Sequence, residues 1–155
     1  MFCVDLKRRR IQRMDLGDMV SHFTWMGKDA VLVYASTDPG GEGFYMADPT
    51  TGEVVDRTSH FNNRDGHPHA TPGGEQVVFD TYPDGRRYQR LFGWEEEEKQ
   101  AHLLARIYTP LKFWGTSRVD LHPRIRSDGQ YLSFDAGSGG VRSLITAEMP
   151  SEHRK

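Results

Sequence analysis

The sequence predicts an all-β fold, a partial β-propeller with two complete four-stranded blades and partial blades at both ends. Three observations carry that expectation. The stretches SHFTWMGKDAVLVYAS from Ser21, GHPHATPGGEQVVFDT from Gly66 and LHPRIRSDGQYLSFDA from Leu121 align without a gap. They put His22, His67 and His122 in register, about 45 and about 55 residues apart, close to the period of propeller blades. Short apolar runs are punctuated by 16 glycines and 8 prolines among 155 residues, which favours short strands and tight turns over long helices. Only 36% of the residues are hydrophobic, so the core must be thin or divided among several interfaces.

The elements follow in order. FCVDL and RRIQRM resemble the last two strands of an earlier blade. The first full blade is expected at residues 22–26, 30–36, 43–48 and 53–57, with turns at Gly27-Lys28-Asp29, Asp38-Pro39-Gly40-Gly41 and Pro49-Thr50-Thr51-Gly52, each supplying glycine for a positive φ. The second is expected at 68–71, 75–81, 86–94 and 99–105, turning at Pro72-Gly73-Gly74 and Pro83-Asp84-Gly85. The acidic run Glu95–Glu98 falls at its outer hairpin and reads as a solvated rim. The third unit shows strands at 123–126, 130–135 and 141–148. One propeller domain thus covers residues 1–150, with 151–155 as a polar C-terminal tail. Since propellers close with about four to eight blades, the expectation is a segment or half of a larger ring, completed by self-association or by a missing propeller half.

Composition narrows the function. A net charge of -2 and a pI near 6.4 leave no basic footprint for nucleic acid, and no apolar run is long enough for a membrane span. The lone Cys3 excludes an internal disulfide framework and leans toward a cytoplasmic setting.

The segments DGHPHATPGGEQVVFDTYPDGRRYQRLF and TPLKFWGTSRVDLHPRIRSDGQYLSFDAGSGG, with SHFTW upstream, resemble the C-terminal half of the oligogalacturonate lyase family. Those proteins are seven-bladed propellers whose repeat is similar to that of TolB-like and WD40-like proteins. The resemblance covers about residues 1–150. It implies β-elimination on short oligogalacturonides, assisted by a divalent ion of the Mn2+ type. By motif, His22 matches the base that takes the C5 proton, while His67 and His122 match metal ligands. The family's Gln-x-x-His-x-His element departs here: Ser117 stands in the place of the glutamine and Asp120 in that of one histidine.

The residues also support this chemistry on their own terms. Equivalent positions of successive blades ring one end of a central channel, and imidazole serves both as transition-metal ligand and as general base. His67, His122 and Asp120 are candidate ligands, with His69 as a substitute if it shares a strand face with His67. Arg118 and Arg64 are candidate anchors for substrate carboxylates, and Tyr82 is a candidate stacking platform, as is Trp114; Trp25 is expected in the core. The alternative stays open that His-Pro is a turn device repeated once per blade, with Asp65 or Asp120 capping it and Asp80 and Asp135 capping later turns. A non-catalytic TolB-like module binding protein or glycan partners is then the rival function.

Overall fold

The computed structural model describes residues 1–61 and 64–150, so the tail expected over 151–155 lies outside the described residues. Among the described residues, thirteen strands form four antiparallel sheets that succeed one another along the chain. β1 (Phe2–Asp5) and β2 (Arg10–Arg13) make a two-stranded sheet. β3 (Met19–Met26), β4 (Ala30–Thr37), β5 (Gly41–Ala47) and β6 (Val54–Asp56) make the first complete blade. β7 (His69–Ala70), β8 (Gln76–Asp80), β9 (Tyr88–Glu95) and β10 (His102–Tyr108) make the second. β11 (Arg124–Ile125), β12 (Tyr131–Ala136) and β13 (Ser143–Glu148) form a three-stranded sheet. Every strand lies within a few residues of its sequence expectation, because period-two patterning and glycine turns mark both ends of each run.

Glycine occupies the left-handed position at the turns of the first blade: Gly27, Gly41 and Gly52 have φ of 65°, 76° and 83°. The Pro83-Asp84-Gly85 turn differs. Arg87, not Gly85, takes the positive φ of 67°, and its guanidinium donates to the carbonyls of Thr109 and Phe113 at 3.0 and 3.1 Å. The strained backbone is thus fixed by tying this turn to the loop that leads into the third unit. The Glu95–Glu98 run does sit at the β9–β10 hairpin, and Glu98 also works there, accepting from the Glu95 amide at 2.9 Å.

The core is three interfaces between successive sheets. Met14, Leu16, Val31, Val33, Ala35, Tyr45 and Ala47 pack between the first sheet and the first blade. Leu32, Tyr34 and Phe44 meet Ala70, Val77, Phe79 and Trp94 between the two blades. Val78 and Leu91 meet Ile125, Leu132 and Phe134 beyond the second. Phe79, fully buried, has the rings of Phe44, Phe61 and Phe92 at 5.5, 5.5 and 5.1 Å.

These faces correct the gapless alignment. Trp25 pairs with Val31, Ala70 with Val77 and Ile125 with Leu132, so the turn after β3 is one residue shorter than its counterparts. The structural equivalents are therefore Val31, Val77 and Leu132, and a one-residue slip exchanges the two faces of a strand. Tyr34 accordingly faces forward, toward the second blade, whereas Phe79 and Phe134 face backward. Trp25, expected in the core, is 48% exposed.

Candidate metal and proton-transfer site

The three histidines meet at one end of the sheets. The His22 and His67 ring centroids are 4.0 Å apart, and those of His67 and His122 are 3.7 Å apart. His22 comes from a bulge in β3, between Val20 and Phe23, a device that re-aims a side chain out of the regular ladder. His67 and His122 come from the loops that enter β7 and β11.

One carboxylate organises the two loops. Asp80, the last residue of β8 and only 1% exposed, accepts from the His67 amide at 2.6 Å and from the His122 amide at 3.0 Å. The same carboxylate lies 3.0 and 3.1 Å from His67 Nδ1. Nδ1 therefore carries the proton and Nε2 presents a lone pair, the outer carboxylate–imidazole arrangement that orients metal-binding histidines. A turn-capping role for Asp80 is thereby corrected: it holds two blades and a ring. Asp135, its sequence counterpart, instead accepts from Arg142 at 2.7 Å.

Among the described residues, Asp65 bonds outside its own turn. It reaches back to the preceding blade, accepting from Ser21 Oγ at 2.7 Å and lying 3.1 Å from His22 Nδ1. By the same logic His22 Nδ1 is the protonated nitrogen, and Nε2 is left as the basic one.

His122 has a φ of 42°, sparsely populated for a residue with a side chain and stored at sites the surroundings over-determine. Its amide bond to Asp80 is part of that restraint. Burial of part of the imidazole, then repulsion from His67, draw its pKa below the usual value, which keeps the ring neutral and its lone pair available. Asp120 is buried, with Oδ2 accepting from Arg118 Nε at 2.7 Å while Oδ1 is buried with no hydrogen-bond partner. One ligand atom each from His67, Asp120 and His122 lie within 4.8 Å of one another. An orphaned buried carboxylate oxygen beside two imidazole lone pairs is a donor set that fits a first-row divalent cation.

The remaining predicted residues sit around this centre. Tyr82 is half-buried, 5.7 Å from the His67 ring and 6.2 Å from His22; burial and then the charge of Asp65 raise its pKa. Arg118 lies 4.9 Å over the Tyr82 ring. Arg64 is exposed on the segment before Asp65. Ser117 bonds its own turn through the carbonyls of Lys112 and Trp114. His69 is corrected as a substitute ligand: its Nδ1 accepts from the Ile125 amide at 3.2 Å, and burial followed by the charge of Arg124 lowers its pKa. It does line, with His22, His67, His122 and Arg124, a cavity of about 340 Å³. Arg124 also lines that cavity, and alternation from the exposed His122 is the sequence signal that points to it.

The chain matches no protein-family model and no curated protein. Among solved structures, an oligogalacturonate lyase in complex with manganese superposes with a TM-score of 0.74 at 20% identity, over 96% of this chain and 41% of that one. An oligogalacturonate lyase from Vibrio parahaemolyticus gives 0.72 at 16% identity, over 99% and 43%. TolB from Acinetobacter baumannii gives 0.64 at 16% identity, over 85% and 30%. The fold is a partial β-propeller. The chain spans less than half the length of each of these propellers, and at such identities the likeness establishes architecture alone. In a propeller, the histidines stand where successive inner strands enter the central channel.

Proposed function

We propose that this propeller acts on acidic oligosaccharides, as a divalent-metal-assisted lyase that cleaves short oligogalacturonides by β-elimination. The observation that carries the reading is the convergence of His22, His67, His122 and the orphaned Asp120 oxygen at one channel mouth. His67 Nε2, a nitrogen of His122 and Asp120 Oδ1 would hold the cation, Mn2+ being the preferred identity given a carboxylate among the donors. Bound there, it would neutralise the uronate carboxylate and make the neighbouring C–H acidic enough for an imidazole.

The chain's own groups supply the remainder. His22, held through Nδ1 by Asp65, offers Nε2 as the base that removes the C5 proton. The freed pair forms the C4–C5 double bond as the C4–O glycosidic bond breaks, and the departing oxygen takes a proton from water while His22 returns its own to solvent. Arg118, whose Nε is the nitrogen bonded to Asp120, and the exposed Arg64 would engage flanking carboxylates. Tyr82, beside both His22 and His67, offers a ring for sugar stacking.

Digalacturonate incubated with the protein and Mn2+ is expected to develop the ultraviolet absorbance of an unsaturated uronate. His22→Gln should lower the rate by about 10²- to 10⁴-fold. No absorbance with wild-type protein and excess Mn2+ removes the lyase. One contact favours the second reading, a non-catalytic TolB-like module: the Arg118–Asp120 pair at 2.7 Å neutralises the carboxylate. Calorimetric binding of digalacturonate without turnover selects that reading.

A further inference from the structure

A second cavity lies at the other end of the blades from the histidines. Met26 ends β3 and Gln76 begins β8, whereas Asp80 ends β8 at the histidine centre. Four strand steps, about 13 Å, separate the two ends of β8. The cavity, of about 370 Å³, lies between the first and second blades, each of which has all four of its strands. One wall is a contact between two glycine turns. A Cβ at Gly74 would meet the Gly27 amide nitrogen at 2.9 Å, and one at Gly27 the Gly73 carbonyl oxygen at 3.0 Å. Another wall is the turn that follows β6, where the His60 and Phe61 amides donate to the Arg57 carbonyl at 2.9 and 3.3 Å. The His60 carbonyl accepts from the Ala101 amide at 2.7 Å, which ties this turn to the second blade.

The lining sorts by chemistry. Phe61 and Trp94 are buried, and Met26 and Met46 pack against the same core between the blades, an apolar surface whose flexible thioethers adapt to the shape of an occupant. Two opposite charges share the cavity with them. Arg57 is half-buried and Glu96 is exposed. Among the described residues neither side chain has a hydrogen-bond or ion-pair partner, each other included. The half-buried Arg87 and Arg90 are different: Arg87 donates to two carbonyls, and Arg90 pairs with Asp84 at 3.0 Å. A guanidinium partly withdrawn from water beside apolar side chains, with no partner, carries a free-energy cost that a ligand carboxylate relieves.

We infer that this cavity binds a free α-amino acid with an apolar side chain. The ligand's carboxylate pairs with Arg57, its ammonium faces Glu96, and its side chain lies among Met26, Met46, Phe61 and Trp94. A free amino acid carries both charges on neighbouring atoms, whereas a peptide terminus offers one of them. The two contacts are unequal. The Arg57 pair is shielded from water, while the Glu96 pair is solvated, where ion pairs are weak. The site is separate from the histidine centre and does not rest on the lyase reading.

The test labels the methionine methyl groups of the 155-residue chain and titrates it with L-phenylalanine. The Met26 and Met46 resonances are expected to shift to saturation, while Met14, sealed between the first sheet and the first blade, stays in place. Phenethylamine, which lacks the carboxylate, should bind at least about tenfold more weakly. Hydrocinnamate, which lacks the ammonium, should lose only about two- to fivefold. Arg57→Gln should bring phenylalanine down to the level of phenethylamine, and Glu96→Gln should erase its advantage over hydrocinnamate. An unchanged Met14 resonance shows that both variants are folded. The inference is overturned if Met26 and Met46 do not move at about 20 mM phenylalanine, if phenethylamine binds as tightly as the amino acid, or if Arg57→Gln binds phenylalanine like the wild-type chain.

Discussion

Asp80 shows how much one residue decides in this protein. Its carboxylate receives two loop amides from adjacent units and faces the His67 ring, so it sets the positions of two candidate ligands. Asp80→Asn keeps the volume but presents one amide nitrogen where only acceptors are wanted. Mn2+ affinity, followed by titration of the free ion's magnetic resonance signal, should fall about 10- to 100-fold. Asp120→Asn, which alters a proposed ligand directly, should weaken it at least as much. An Asp80→Asn protein that is folded and binds Mn2+ like wild type would rule out the outer carboxylate role. The sequence carried half of this. The recurring histidines were legible because a blade repeat puts equivalent residues at one channel mouth. Asp80 was visible as an aspartate thirteen residues after its histidine, a spacing that Asp135 repeats, but its role was not, because its bond to the His122 amide joins it to a backbone group of the next unit, which leaves no sequence signal. Asp65 escaped for the same reason, since it pairs with His22 of the preceding blade.

At the scale of the element, the loop entering β7 explains the Gly in DGHP. A Cβ at Gly66 would sit 1.9 Å from the Asp80 carbonyl oxygen and 2.9 Å from Asp80 Oδ1. The close approach lets Asp80 reach the His67 amide. Gly66→Ala is expected to cost about 1–3 kcal/mol, the usual range for overpacking, and to weaken Mn2+ binding with it; denaturant unfolding and the same titration check both. The β4 strand gives a second expectation. Burial, then the charge of Glu42, push the Tyr34 pKa up to about 12. The folded state thus holds that proton more tightly than the unfolded chain, whose tyrosine titrates near 10. The associated stability is complete below about pH 10 and is lost as pH rises toward 12. Tyr34→Phe should flatten the fall in urea midpoint between about pH 9 and about pH 11; an equal fall in both proteins would contradict the assignment. Strand positions were readable from alternation and turn residues. The face of β4 was not, since a turn shortened by one residue looks like an intact alignment while exchanging the faces of the strand.

At the scale of the whole molecule, each sheet touches only its neighbours, so stability is a sum over interfaces and not the property of one core. The second blade is buried on both faces, with Val77 and Phe79 in one interface and Val78 and Leu91 in the next. The ends are not: Phe2, Val4 and Ile11 of the first sheet and Leu144 of β13 are 65%, 53%, 68% and 71% exposed. A closed ring would show no such gradient, because every blade would have two covered faces. Native-state hydrogen exchange should therefore be slowest in β8 and β9 and at least about a hundredfold faster in β1, β2 and β13, which open by local unfolding well below the global free energy. Strand pairing alone cannot equalise them, since β12–β13 is as regularly paired as β4–β5; what differs is the apolar area covered on each face. Addition of Mn2+ should slow exchange around His67 and His122, which join the second blade to the third unit, while leaving β1 unchanged. Uniform protection along the chain would instead mean that its open faces are already covered by other copies, and interface-by-interface stability would then fail as a description of the molecule.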